Sequence, residues 1–250
     1  MCYSDDARPP LPRISGAAAN QGEVHLTAAG GSQCLAYFAR AATPRGAGVV
    51  ILPDVRGLHG FYKELARRFA EVGVDALAID YFGRTAADDA RDESFDFRAH
   101  AQRVEPSGVN ADVLAAVEYL RSQDMGGVGA VFTVGFCFGG GHSWRQAAAG
   151  HGLAGCIGLY GRPQAARDVL GGIQAPLLIL VAGADHTPQE EFQRFDQELT
   201  ATGVHHRMVV YPGAPHSFFD RTCEEHRAAC DDAWEQMLRF IQEEGERKAS

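Results

Sequence analysis

The hexapeptide Gly135-Phe136-Cys137-Phe138-Gly139-Gly140 sets a cysteine between flanking glycines, after the apolar run Gly129 to Val134 and before a helix-compatible stretch. That is the pattern of a nucleophile held on a sharp strand-to-helix turn, with cysteine where serine usually stands. Such a turn strains the nucleophile's backbone and brings neighbouring chain against it, so the flanking positions have no room for a Cβ. Unpaired N–H groups and the positive end of the helix dipole then favour a thiolate and an oxyanion. Phe138 N–H is the natural first oxyanion donor. An ordinary thiol, with a pKa of about 8.5, is only a few per cent ionised at neutral pH, so the chemistry also needs a base. Taken alone, the hexapeptide fits a buried structural cysteine about as well.

Two further loops supply partners, in the order nucleophile, acid, histidine. The apolar run Pro176 to Val181 has the character of a buried parallel strand and ends in Gly183-Ala184-Asp185-His186-Thr187-Pro188, which places Asp185 at the strand's exit. Arg207 to Tyr211 forms another strand, and Pro212 to Phe218 carries His216 on the loop leaving it. An aspartate in a turn or a histidine beside aromatics is individually unremarkable. Three such residues at the carboxyl ends of parallel strands, where open α/β sheets build their sites, read together as a catalytic triad. In that reading His216 takes the Cys137 proton, and Asp185 fixes the imidazole tautomer.

The elements that must position these residues follow from the same patterning. Val24 to Thr27 and Cys34 to Ala39 form a hairpin across Gly30-Gly31, and strands recur near Gly48 to Leu52, Val74 to Ile79, Val131 to Val134, Cys156 to Tyr160, Leu177 to Val181 and Met208 to Tyr211. Helical patterns at Tyr62 to Val72, Asn110 to Ser122, after the elbow, Gln189 to Thr202 and Glu224 to Glu244 alternate with the strands. The alternation predicts an α/β fold with a mostly parallel central sheet and helices on both faces. Residues 1–22 are expected to be a flexible N-terminal arm and 23–250 a single domain.

The chain resembles the dienelactone hydrolase family, the cysteine branch of the α/β-hydrolase fold, from about Val24 to Ile241. The resemblance rests on Gly135 to Gly140, on Gly183-Ala184-Asp185 with Pro188, and on Pro215-His216-Ser217-Phe218. It implies a carboxymethylenebutenolidase-like activity on an ester or lactone. Leu52-Pro53-Asp54-Val55-Arg56-Gly57-Leu58 resembles the loop where the family keeps a thiol-activating carboxylate; Asp54 takes that place, one methylene shorter than the family's glutamate, and Val55 N–H would be the second oxyanion donor. The residues themselves allow another reading, in which Asp54 caps the helix beginning near Gly60. In the family a serine after the histidine and two arginines hold the substrate carboxylate. Ser217 matches the serine, but Asp220 stands where an arginine is expected, with Arg221 one step later. The other arginine aligns to no single position among Arg84, Arg91, Arg98 and Arg103.

The insertion between Phe82 and Asn110 has the length of a cleft wall; in it Arg98 is a candidate substrate contact, whereas Arg91-Asp92-Glu93 reads as a solvated charge cluster. Tyr160, ending a strand, is a further pocket candidate. The net charge of -9 disfavours nucleic acid and anionic membrane surfaces as partners. No secretory leader or membrane-spanning stretch is evident, and cytoplasmic location with reduced thiols is expected. Cys223, His226 and Cys230 share a helical face but lack a fourth ligand, so no metal and no cofactor is expected. The sequence thus predicts a hydrolase working through an acyl-cysteine on a small-molecule ester or lactone. The alternatives are a general short-chain carboxylesterase or thioesterase, and a non-catalytic ligand-binding sensor on the same fold.

Overall fold

In a computed structural model, which describes residues 8–10, 18–220 and 222–249, the apolar runs pair into one eight-stranded sheet. Its strands are β1 (Ala18–Thr27), β2 (Gln33–Ala41), β3 (Ala47–Leu52), β4 (Asp75–Ile79), β5 (Ala130–Phe136), β6 (Gly155–Leu159), β7 (Leu177–Ala184) and β8 (His206–Pro215). They lie in the order β1-β2-β4-β3-β5-β6-β7-β8, with β2 antiparallel to both its neighbours, β1 and β4, and every other pair parallel. Every residue of β3, β4, β5 and β6 is buried, as expected of strands that are apolar throughout rather than alternating.

Helices cover both faces. They are α1 (Gly60–Glu71), α2 (Phe97–Ala101), α3 (Pro106–Arg121), α4 (Phe138–Gln146), α5 (Gln164–Arg167), α6 (Gln189–Ala201) and α7 (Arg227–Ala249). On one face Val49 and Ile51 of β3 join a core with Phe61, Phe69, Trp234 and Phe240 from α1 and α7. On the other, Val50 and Leu52 join Val113, Trp144 and Phe195 from α3, α4 and α6. The period-two alternation of β3 thus serves two cores at once. This is the α/β-hydrolase fold. Among the described residues, no helix is long and apolar enough to cross a membrane.

Two boundaries differ from expectation. Strand β1 begins at Ala18, inside the segment expected as an arm, because residues 18–22 find partners along β2; residues 1–7 and 11–17 lie outside the described residues. Helix α3 begins at Pro106 rather than Asn110, since proline's missing N–H costs nothing in a first helical turn.

Arg91 is a correction. Rather than belonging to a solvated cluster, it is only 5% exposed and grips Asp80 at the end of β4, with Nε 3.1 Å and a terminal nitrogen 2.9 Å from the carboxylate oxygens. Its guanidinium lies 4.4 Å from the Phe95 ring centroid and 5.7 Å from that of Phe82. The reason is the fully buried Asp80 carboxylate, which also accepts from the N–H groups of Leu58 (3.0 Å) and Phe82 (2.9 Å). A charge that deep requires a counter-charge, and only the neighbouring loop offers one. Asp92 and Glu93 remain exposed. The loops after β3 and β4, at the carboxyl edge of the sheet, are thereby tied to one side chain. Arg91→Ala leaves Asp80 buried and uncompensated and is expected to cost about 3–5 kcal/mol in urea unfolding; a loss below about 1 kcal/mol would show that the clamp is dispensable.

Candidate active site

The elbow forms because β5 runs straight into α4 with no room between them. A Cβ on Gly135 would lie 2.0 Å from the Gly139 carbonyl oxygen, and one on Gly139 would lie 2.1 Å from that of Leu52. The chain therefore turns at Cys137, whose φ of 53° and ψ of -110° are sparsely populated for any side-chain-bearing residue. The Cys137 N–H donates to the Leu159 carbonyl at 3.0 Å, and Gly140 N–H to the Cys137 carbonyl at 3.0 Å, so the turn is pinned on both sides. Cys137 is half-buried, and α4 begins at the next residue, Phe138.

Strand β7 delivers Asp185 and β8 delivers His216, whose Nδ1 lies 2.8 Å from Asp185 Oδ2. The aspartate side chain is 1% exposed and the histidine 19%. Burial pushes the Asp185 pKa up, but hydrogen bonds from His216 and from the Thr187 N–H, with the nearby imidazoles, outweigh it and leave the pKa below its usual value. An ionised carboxylate only accepts, so His216 Nδ1 carries the proton and Nε2 stays available. His142, on α4, is a poor competitor as base: burial, then the Arg145 charge, push its pKa down to about 4 while its ring packs 4.5 Å from that of Phe138.

Among the described residues, the three non-glycine residues with positive φ are Cys137, Tyr160 and Ser217. Each follows a strand's carboxyl end. Tyr160, just past β6, is 1% exposed, with its ring 5.1 Å from His216 and its hydroxyl 3.4 Å from Asp220 Oδ2. Ser217 is equally buried, its Oγ without a hydrogen-bond partner among the described residues. Both are buried rather than on open surface. Arg98 is exposed on α2 with its guanidinium 5.9 Å from the neighbouring Phe97 ring, and Arg221 lies outside the described residues.

Asp54, just beyond β3, is fully buried; its Oδ1 accepts from the Arg56 N–H at 2.8 Å, and its own N–H donates to the Tyr62 hydroxyl at 3.0 Å. It does not cap α1, because His59 does, with Nδ1 accepting from the Phe61 N–H. Val55 beside it is half-buried. Tyr81, passed over in the sequence, donates its hydroxyl to the Pro53 carbonyl at 2.8 Å. Burial, then the charge of Asp54, with lesser contributions from Asp80 and Cys137, raises its pKa well above normal, so it stays a neutral donor. No local pattern marks Tyr81, because its proximity to Asp54 is created by the pairing of β3 with β4.

His186 was also missed. Its Nδ1 lies 3.0 Å from Asp185 Oδ1, and its ring centroid 4.5 Å from that of His216. Among the described residues, Asp185, His186 and His216 are the grouping able to hold a metal ion, with ligand atoms within 4.8 Å of one another. Cys230 Sγ instead donates to backbone carbonyls, of Phe218 at 3.1 Å and of Cys223 at 3.7 Å. A cavity of about 830 Å³ lies at the opposite edge of the sheet, between the starts of β3 and β5 and α7, and contains none of the triad.

The dienelactone hydrolase family model matches residues 35–245. A protein of Escherichia coli with the provisional name carboxymethylenebutenolidase is 30% identical over 213 residues, covering 80% of this chain and 78% of the relative. A similarly named protein of Salmonella typhi is 30% identical over 232 residues, covering 87% and 86%. Among solved structures, a protein of Klebsiella pneumoniae provisionally named dienelactone hydrolase superposes with a TM-score of 0.78 at 25% identity, covering 89% of this chain and 98% of that one. A dienelactone hydrolase-like promiscuous phosphotriesterase from metagenomic libraries gives 0.76 at 26% identity, covering 90% and 98%. With the family's span running from β2 into α7 and enclosing the elbow, Asp185 and His216, the chain belongs to the dienelactone hydrolase family and is an ester- or lactone-cleaving hydrolase acting on small molecules.

Proposed function

We propose that residues 23–250 act as one catalytic domain that cleaves its substrate through an acyl-cysteine intermediate, with Cys137 as nucleophile, His216 as base and Asp185 as the residue orienting it. The observation that carries this reading is the 2.8 Å contact from His216 Nδ1 to Asp185, which commits one ring nitrogen and leaves Nε2 for proton transfer. Nε2 takes the Cys137 proton, the thiolate attacks the carbonyl carbon, and the N–H groups of Phe138 and Val55 receive the oxyanion. His216 then protonates the departing alkoxide, and a water that it deprotonates releases the acyl group. Asp54 assists thiol ionisation when substrate enters, and Tyr81 holds its loop through Pro53.

The names of the relatives point to lactone substrates; a Bradyrhizobium protein 25% identical over 224 residues is called a probable 2-oxo-3-(5-oxofuran-2-ylidene)propanoate lactonase. For this chain, the candidate arginines favour a neutral ester or lactone over a carboxylated one. Arg91 is held by the buried Asp80 at 2.9 Å and Arg84 by the buried Asp112 at 2.6 Å. Both guanidiniums are thereby committed to carboxylates of the protein rather than to one on a substrate. Hydrolysis of cis- and trans-dienelactone compared with a neutral p-nitrophenyl ester tests this, with the neutral substrate expected to give the higher kcat/KM. Preference for the lactone anion would instead support the carboxymethylenebutenolidase reading, with Ser217 and Arg221 holding its carboxylate.

Cys137→Ala is expected to abolish turnover and the acyl-enzyme mass adduct; full activity would remove Cys137 from the mechanism. Asp185→Asn should still fold, with a modestly lower thermal midpoint at neutral pH, and lower kcat by about 10⁴-fold through loss of the correct tautomer. Because the folded-state pKa of Asp185 is depressed, its carboxylate contributes stability above the unfolded pKa of about 3.9 that disappears as pH falls through the folded value. The wild type should therefore lose more stability between pH 5 and pH 2 than Asp185→Asn, as read by urea midpoints; parallel loss would contradict the linkage.

A further inference from the structure

We infer that Asp185, His186 and His216 form a binding site for zinc-class divalent transition ions, and that occupancy switches the hydrolase off. The ligand set is two imidazoles and a carboxylate, which suits zinc, cobalt or nickel and not magnesium or calcium. The geometry is close to that required. Asp185 already spans both rings, with Oδ2 2.8 Å from His216 Nδ1 and Oδ1 3.0 Å from His186 Nδ1. Ligand atoms on a tetrahedral zinc, with bonds of about 2.0–2.1 Å, sit about 3.3 Å apart. The two nitrogens need only draw together from within 4.8 Å, and the His186 side chain, 55% exposed, is the one able to move. Asp185, 1% exposed, is held from behind by the Thr187 N–H at 3.0 Å, so one ligand is preorganised.

The effect on chemistry follows from the proton. In the metal-free site His216 Nδ1 donates to Asp185, and Nε2 is free to accept. A metal on Nδ1 takes the lone pair that the N–H bond used, and the ring stays neutral by carrying its one proton on Nε2 instead. That proton occupies the nitrogen that would receive the Cys137 proton. The metal-bound ring therefore cannot complete proton transfer from the thiol.

Binding does not depend on the proposed catalytic reading, but the effect on turnover does, so the two are measured separately. In the Cys137→Ala protein, which lacks the nucleophilic thiol, calorimetric titration with zinc should show one site. The cobalt complex should show ligand-field absorption without a sulfur-to-cobalt band. His186→Gln in that background should weaken zinc binding by about tenfold or more. His25→Gln, which removes an exposed histidine 3.3 Å from Asp89 elsewhere on the surface, should leave it unchanged. With Cys137 intact, zinc should lower ester turnover reversibly on chelation, magnesium should not, and inhibition of His186→Gln, scored against its own metal-free rate, should need correspondingly more zinc. Unchanged affinity in His186→Gln, a sulfur-to-cobalt band, or no binding would overturn the site. Zinc binding that is lost in His186→Gln yet leaves wild-type turnover intact would overturn the switch. A protein that binds zinc as described but shows no metal-free turnover would instead count against the proposed hydrolytic triad.

Discussion

The first turn of α4 lies so close to the ends of β3 and β5 that side chains are excluded, and much of the site depends on that approach. Gly135 and Gly139 stand where a Cβ would come within about 2 Å of carbonyl oxygens, so the backbone must reverse at the residue between them. Cys137 absorbs the reversal in a conformation costing on the order of 1–3 kcal/mol. The offset comes from packing: Trp144 on the same helix is wholly buried against Phe195, and its Nε1–H reaches the Leu178 carbonyl at 3.3 Å. Thr133 of β5 and Ser143 of α4 share a buried hydroxyl pair at 2.8 Å. Helix α4 is thus held on the sheet firmly enough to keep the strained residue that precedes it in place.

Strain of the same kind recurs at the neighbouring strand ends. Tyr160 and Ser217 take positive φ beside His216, one packed against its ring and the other next to it in sequence. Concentration of these conformations around one histidine shows that the surrounding packing over-determines its position. Position and charge are then set together, because the same loops bring Thr187 N–H and two imidazoles onto the Asp185 carboxylate. At the other side of the cleft edge, the buried Asp80 with Arg91 performs the corresponding task for the loops after β3 and β4. An apolar pair could fill that volume, but only a carboxylate receives the N–H groups of Leu58 and Phe82 while binding a guanidinium.

The strand and helix pattern was legible because its signals are local: uninterrupted apolar runs for β3 to β7, helical periodicity for α1 and α6, and glycines at the elbow. Candidate site residues were legible for a related reason, since each sits at a strand's exit and chain order alone puts Cys137, Asp185 and His216 at one edge of a parallel sheet. Arg91 was misjudged because its sequence neighbours Asp92 and Glu93 are solvated, and nothing local says that the chain folds back onto Asp80. The cap of α1 went to His59 rather than Asp54, since a competing side chain lay nearer the first helical N–H.

What the sequence determined by itself was therefore the layer architecture, the elbow and three candidate site residues at the exits of parallel strands, all encoded in periodicity and spacing along the chain. What only the tertiary structure decided was which side chains share a volume. It placed Tyr81 against the Asp54 loop, packed Tyr160 between His216 and Asp220, gave His186 a hold on the second oxygen of Asp185, and brought the Cys230 thiol to the Cys223 carbonyl. These contacts join residues through strand pairing and loop closure, and their chemistry depends on distances of a few ångströms and on burial. Neither quantity is a property of any one stretch of sequence.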